Sequence, residues 1–231
     1  MSVTRRRGRL CRVALPAPRR QGNHRTLGED ASGEGARSRN AVAAFVHARQ
    51  SPYTAAVQNP VAHLKSLISD VPDFPEPGVM FRDITPLLAD AKGLALSIEL
   101  LANPFRGENI DLVVGAESRG FIFGTAVAQC LSAGFGLVRK PGKLPRKSRS
   151  KAYNLEYGSN TLEIHEDTIK PGQRVLICDD VLATGGTMEA CIDLVEDLGG
   201  VVAGIAVLIE LKPLDGRAKV GRPLHSVVVY E

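Results

Sequence analysis

Tryptophan is absent from the 231 residues, and aromatic side chains make up only 5% of them. The core must therefore be filled by Val, Leu, Ile and Ala. No apolar run reaches the roughly 18 residues a membrane-spanning helix needs, so no membrane partner is expected. Cysteine is sparse. Cys11, Cys130, Cys178 and Cys191 include no C-x-x-C pair, which argues against a redox or zinc motif. It fits buried thiols in a reducing compartment, and hence a cytoplasmic protein. There is no G-x-x-x-x-G-K-[ST], and no G-x-G-x-x-G follows the first predicted strand. These absences exclude an ordinary nucleoside triphosphatase and a dinucleotide fold.

The net charge of +4 comes from one end of the chain. Residues 1–50 hold eleven Arg, no Lys and three acids, for a net +8; residues 51–231 hold 18 basic and 22 acidic side chains, for a net −4. The bulk of the chain is mildly acidic, so the overall basicity is no argument for nucleic acid. Residues 1–58 are rich in Arg, Gly, Ser and Pro without apolar periodicity, and read as a disordered extension. A dispensable tail or an early start codon, a transit peptide, and a basic arm for nucleic acid are all open for it. Residues 59–231 read as one catalytic-sized domain.

Within that domain strands and helices alternate. Asn59 is placed to cap a short helix bearing Val61, Leu64, Leu67 and Ile68. Residues 72–86 read as loop, and Leu94–Leu101 as helix. Strands are expected at 111–115, 136–139, 174–178, 201–210 and 224–230. Helices are expected at 119–131 and 187–198, with a polar loop over 140–152 and a hairpin around Gly158. This pattern predicts an α/β fold, with a central, mostly parallel sheet flanked by helices.

The chemistry is densest at Val175 to Thr187. Four apolar residues lead into Asp179 and Asp180, then Ala183-Thr184-Gly185-Gly186-Thr187, then a helical pattern. Ligands of open α/β sheets bind beyond the carboxyl ends of strands. Backbone N–H groups of a small turn at a helix N-terminus suit a phosphate. Adjacent carboxylates suit hydroxyls or a metal instead. Together they describe a site for a ribose 5-phosphate. A second strand-to-helix loop, Gly115-Ala116-Glu117-Ser118-Arg119-Gly120, also aims N–H groups at a ligand. A third cluster is basic. Arg139, Lys140, Lys143, Arg146, Lys147, Arg149 and Lys151 are seven of the 18 basic residues after position 50. No aromatics interleave with them, which favours a small anion over nucleic acid. His165 has neither a nucleophile nor a metal-ligand partner in the pattern, and reads as structural.

The run through Asp179 to Thr187 resembles the phosphoribosyl pyrophosphate (PRPP) signature of the type I phosphoribosyltransferases. Four further segments resemble the adenine-specific branch: Phe74 to Pro86, Glu117 to Phe121, Arg139 to Pro145, and Leu155-Glu156-Tyr157-Gly158. The resemblance spans about residues 60–231. It implies a type I fold with a small N-terminal hood and a flexible lid loop. It implies purine salvage, in which adenine and PRPP become AMP and pyrophosphate with Mg²⁺ as cofactor, held mainly through PRPP and water with no direct protein ligand. A homodimer is also implied.

The resemblance also distributes roles. Asp179 and Asp180 would hold the ribose hydroxyls, and Ala183, Thr184, Gly185, Gly186 and Thr187 the 5-phosphate. Glu117, Ser118, Arg119, Lys140 and Lys143 would serve the pyrophosphate, with a cis peptide at Glu117–Ser118. Glu156 would assist proton loss from the base, Arg119 would reach the leaving group, and Tyr157 would lie near the ribose. Adenine would meet backbone around Met80 and Arg82, the Phe81 ring and an apolar wall at Leu211. Cys178 replaces a more usual aliphatic residue, and an oxidisable thiol beside Asp179 would be a route to inhibition. Two alternatives stay open: another base (hypoxanthine, guanine, xanthine or orotate), or a PRPP-sensing regulator using the basic arm.

Overall fold

The computed structural model describes residues 58–154 and 159–231. The extension, and Glu156 and Tyr157 with it, lie outside the described residues. At the centre are five parallel strands: β3 (Leu112–Ala116), β4 (Gly134–Val138), β7 (Arg174–Leu182), β8 (Val201–Leu211) and β9 (Leu224–Tyr230). Their order is β4-β3-β7-β8-β9. α4 (Gly120–Leu131) links β3 to β4, and α5 (Gly186–Asp197) links β7 to β8.

Alternation along the strands divides the core in two. From β3 and β7, Val113, Leu176 and Cys178 join one cluster with Phe123 and Val127 of α4 and Leu96 and Leu101 of α3 (Ala91–Ala102). Val114, Val175 and Ile177 join the other with Met188, Leu194 and Val195 of α5. Sheet strands buried on both faces read as continuous apolar runs, which is why they were visible in the sequence. The filling is aliphatic, as the lack of Trp requires, with Phe123 the largest side chain that is fully buried.

The hood precedes the sheet. α1 (Pro60–Ser66) begins as expected, the Asn59 side chain accepting from the Ala62 N–H at 3.0 Å. The stretch read as loop is more ordered. β1 (Ser69–Val71) and β2 (Phe81–Asp83) form an antiparallel pair, and α2 (Thr85–Ala89) follows. Asp83 starts that helix by accepting from Thr85, at 2.9 Å from the backbone nitrogen and 2.6 Å from the hydroxyl.

The polar loop after β4 is shorter than expected. Residues from 148 onward enter β5 (Ser148–Asn154), paired antiparallel with β6 (Ser159–His165). Lys151 of this ribbon bridges to Asp193 of α5 at 2.6 Å. His165 is structural, with Nδ1 3.3 Å from the Lys147 carbonyl. A 3₁₀ turn (Lys212–Leu214) and a short helix α6 (Gly216–Val220) connect β8 to β9. No helix among the described residues is long and apolar enough to cross a membrane.

Candidate active site

From β3 the chain turns outward to β4, and from β7 it turns the other way to β8. The loops leaving β3 and β7 therefore diverge, and the crevice between them is a topological switch point. An open cleft of about 250 Å³ lies there. One wall is Glu117, Ser118 and Arg119. The other runs from Asp179 to Met188, taking in Ala183, Thr184, Gly185, Gly186 and Thr187. Two segments 60 positions apart are thus brought face to face.

The acid pair does not follow the end of β7 but lies inside it. β3 stops pairing at Cys178, whereas β8 continues alongside to Leu182. The eleven-residue β8 extends the strand on one side only, and this presents both carboxyls at the crevice. Asp179 is 7% exposed and Asp180 4%. Asp180 takes the Arg119 Nε at 2.9 Å, and its own N–H donates to Asp179 Oδ1 at 2.9 Å. Burial pushes Asp179 well above the usual carboxylate range, and the neighbouring Asp180 charge adds to this. Burial also raises Asp180, opposed by the Arg119 guanidinium.

The turn needs glycine for two reasons at Gly185. Its φ is +86°, and a Cβ there would fall 2.7 Å from the Gly216 carbonyl oxygen. Thr187 Oγ1 lies 3.5 Å from the Tyr153 hydroxyl. Across the cleft the Glu117–Ser118 peptide is cis. Burial would raise the Glu117 carboxyl, but the Lys140 backbone N–H and the Arg139 guanidinium outweigh it and hold it low. Arg139 Nε reaches Glu117 Oε2 at 3.0 Å. The Glu117 side chain is therefore committed to the loop, leaving its backbone for a ligand.

The remaining expected site residues do not line this cleft. Lys140 and Lys143 are exposed on the following loop, where the Lys143 carbonyl accepts from Arg139 Nη1 at 3.1 Å. Phe81 is half-buried, edge-on to Phe74 with centroids 5.0 Å apart. The Arg119 guanidinium carbon lies 5.3 Å from the Phe81 centroid, joining the hood to the cleft. Met80 is exposed. The Arg82 side chain turns away to Asp70 and to the Tyr230 ring, 4.0 Å from its centroid. Leu211 packs partly buried at the end of β8. Glu156 and Tyr157 lie outside the described residues.

Cys178 is no exposed switch. It is fully buried, and burial pushes its thiol far above the usual range, with Asp179 and Asp180 adding to the effect. Little thiolate is present to be oxidised. Gly216 was missed as a site residue, and Gly120 was read only as part of the loop after β3. A Cβ on Gly120 would lie 2.6 Å from Asp179 Oδ1, and one on Gly216 would lie 2.1 Å from the Ala183 carbonyl oxygen. Only the folded chain reveals such approaches.

A five-stranded parallel sheet with an acid pair and a glycine turn at its switch point is the arrangement of a type I phosphoribosyltransferase, and the family model described as Phosphoribosyl transferase domain matches residues 83–231. The adenine phosphoribosyltransferase of Acidobacterium capsulatum is 59% identical over 156 residues, covering 68% of this chain and 86% of that protein. That of Geobacter metallireducens is 57% identical, covering 68% and 91%. Among solved structures, the adenine phosphoribosyltransferase of Rhodothermus marinus shares 53% identity at a TM-score of 0.72, over 74% of this chain and 98% of that one. The Saccharomyces cerevisiae enzyme, complexed with an imino-altritol bisphosphate and adenine, shares 35% at 0.71, over 74% and 100%. The chain belongs to the adenine phosphoribosyltransferase family.

Proposed function

We infer that the protein transfers the 5-phosphoribosyl group of PRPP to adenine in purine salvage, releasing AMP and pyrophosphate. The observation that carries this reading is the buried Asp179–Asp180 pair running into the Ala183–Thr187 turn, opposite Arg119. Each part matches a part of PRPP. The turn offers N–H groups to the 5-phosphate. The carboxylates accept from the ribose 2- and 3-hydroxyls. Arg119 and the N–H groups beside it face the pyrophosphate, with Lys140 and Lys143 adding positive charge from the next loop.

The bond from C1 to pyrophosphate oxygen breaks as the bond from C1 to adenine N9 forms, and N9 loses its proton. Positive charge grows at C1 in between. Asp179 and Asp180, held in a site poor in water, favour that charge electrostatically. The remote 5-phosphate supplies binding energy that fixes C1 in place. Glu156 would hydrogen-bond the base at N7 and assist proton loss, and Tyr157 would flank the ribose. Both roles rest on the resemblance. Met80 and Arg82 backbone, Phe81 and Leu211 would enclose the adenine.

Of the three carboxylates lining the cleft, Glu117 is paired with Arg139 and Asp180 with Arg119. Such a cleft suits a Mg²⁺ held mainly through PRPP and water, with no direct protein ligand. Such an ion would neutralise charge on the departing pyrophosphate.

A labelled-base assay with PRPP and Mg²⁺, run on the full chain and on residues 58–231, tests the reading. AMP should form from adenine at similar rates in both, with at most trace product from hypoxanthine, guanine or orotate. Absence of product with every base, from a protein that still binds PRPP, would turn the interpretation towards a sensor. A homodimer and a cytoplasmic location belong to the same proposal. Supporting the first, Ile122 of α4 and Leu137 of the edge strand β4 are each 42% exposed. Supporting the second, Cys130, Cys178 and Cys191 are all free thiols. Light scattering should give twice the chain mass; a monomer at working concentrations would refute the dimer.

A further inference from the structure

We propose that Gly216 and Arg217 are positioning residues for the 5-phosphate turn, and that Glu210 anchors them. The proposal rests on reading Ala183–Thr187 as the 5-phosphate site. None of the three residues lines the cleft. They act on it from behind.

The contact is backbone against backbone. A Cβ on Gly216 would fall 2.1 Å from the Ala183 carbonyl oxygen and 2.8 Å from the Gly185 nitrogen; one on Gly185 would fall 2.7 Å from the Gly216 carbonyl oxygen. No side chain fits between the two segments. The back of the phosphate turn is thus set by where α6 begins. The chain enters α6 through Asp215, a non-glycine residue at φ +50°. A helix of five residues does not hold its own position. Something else must fix it.

Arg217 does so through four contacts. Its Nε and Nη2 grip the Glu210 carboxylate, at 2.8 and 2.5 Å. Its Nη1 donates to the Leu224 carbonyl at 3.2 Å, and its Nη2 to the Ser226 hydroxyl at 3.0 Å. The Ser226 hydroxyl in turn donates to Glu210 Oε2 at 2.5 Å. Glu210 is only 4% exposed, and it sits near the end of β8, paired on either side with Leu182 of β7 and Val229 of β9. A bidentate pair fixes orientation as well as distance. A buried carboxylate stripped of its partner is strongly unfavourable, so the pair stays closed. The linkage runs from β8 and β9 through Glu210 and Arg217 to Gly216, and from there to Ala183 and Gly185. Preorganised N–H groups bind an anion well only when held within a fraction of an ångström.

The test uses Arg217→Ala, Glu210→Gln and Gly216→Ala in the full chain. The readouts are KM for PRPP, KM for adenine, kcat, and equilibrium binding of ribose 5-phosphate and of ribose. The expected result is a rise of about tenfold or more in KM for PRPP and in Kd for ribose 5-phosphate. KM for adenine should stay within about twofold, and any fall in kcat should be smaller than the rise in KM for PRPP, because the turn holds the remote phosphate and not the base. Arg217→Lys should recover only part of the loss, since an ammonium cannot reproduce the fork. Parallel changes in both KM values and kcat, tracking a loss of thermal stability, would overturn the proposal. So would wild-type affinity for ribose 5-phosphate in folded Arg217→Ala. If that variant does not fold, the isosteric Glu210→Gln decides by the same criteria. Should the wild-type protein bind ribose 5-phosphate no more tightly than ribose, the 5-phosphate reading itself fails. If it binds the phosphate and the variants match it, only the positioning role fails.

Discussion

Asp179→Asn and Asp180→Asn are each expected to lower kcat/KM for PRPP by at least about tenfold, equivalent to about 1.4 kcal/mol of transition-state stabilisation. The same exchange at Asp179 is expected to raise thermal stability at pH 7.5. The two effects share a cause. Burial holds the Asp179 carboxyl well above its usual range, so the folded chain binds its proton more tightly than the unfolded chain does. Stability from such a group is fully present below the ordinary carboxylate pKa, near about 4, and is lost as pH rises towards the raised value. At neutral pH the buried Asp179 carboxyl is therefore a cost to folding. Asparagine removes the charge, and its Oδ1 can still accept the Asp180 N–H seen at 2.9 Å. Melting curves at pH 7.5 and at pH 4 check this: the gain should shrink at the lower pH, where the wild-type carboxyl is already protonated. Because the ionised pair is needed for the ribose hydroxyls and for charge at C1, wild-type kcat/KM should fall on the acid side above the ordinary carboxylate range. Unchanged kinetics in a folded variant would remove the acid pair from the mechanism.

The cleft was legible where its parts are contiguous. Asp179 to Thr187 and Glu117 to Gly120 each carry strand, loop and helix start within a few residues, so local pattern sufficed. Features set by distant partners were not legible. The continuation of β7 past Cys178 depends on the length of β8 beside it. The hairpin around Gly158 was legible, but residues 148–152 of β5 were hidden in the expected polar loop because Arg149 and Lys151 give them no apolar alternation; Lys151 instead meets Asp193 on α5. β2 is three residues long and pairs only with β1, too short to leave a periodic signal. Arg82 enters its motif by its backbone, and the destination of its side chain, the ring of Tyr230 148 positions later, has no local signal. The close approach of Gly216 to Ala183 has no sequence signature, since it concerns backbone atoms of two separate turns. The family resemblance covered roles that no local pattern could assign, among them those of Glu156 and Tyr157.

Gly120→Ala should cost more activity than its single methyl implies. Gly120 opens α4 directly against Cys178 and Asp179 inside β7. A Cβ there would meet Asp179 Oδ1 at 2.6 Å, Asp179 Cγ at 3.3 Å and the Cys178 carbonyl oxygen at 3.1 Å. Backbone of a central strand cannot give way, so relief comes from rotating the Asp179 carboxyl or from lifting the start of α4. Either movement damages the site, because Arg119, the preceding residue, reaches Asp180 at 2.9 Å. The expected loss in kcat/KM for PRPP is about 100-fold, the scale of a misplacement near 1 Å. The accompanying overpacking should cost about 1–3 kcal/mol in stability. Gly124→Ala, one turn further along α4, is the matched control. Its Cβ would meet the Phe135 ring at 2.7 Å. That ring is half-buried on β4, can shift, and does not touch the cleft. Its stability cost should be similar and its kinetics near wild type. Urea melts and steady-state kinetics on both variants separate the two effects. Equal activity losses in the two would mean that general packing of α4, rather than the contact between Gly120 and Asp179, governs the site.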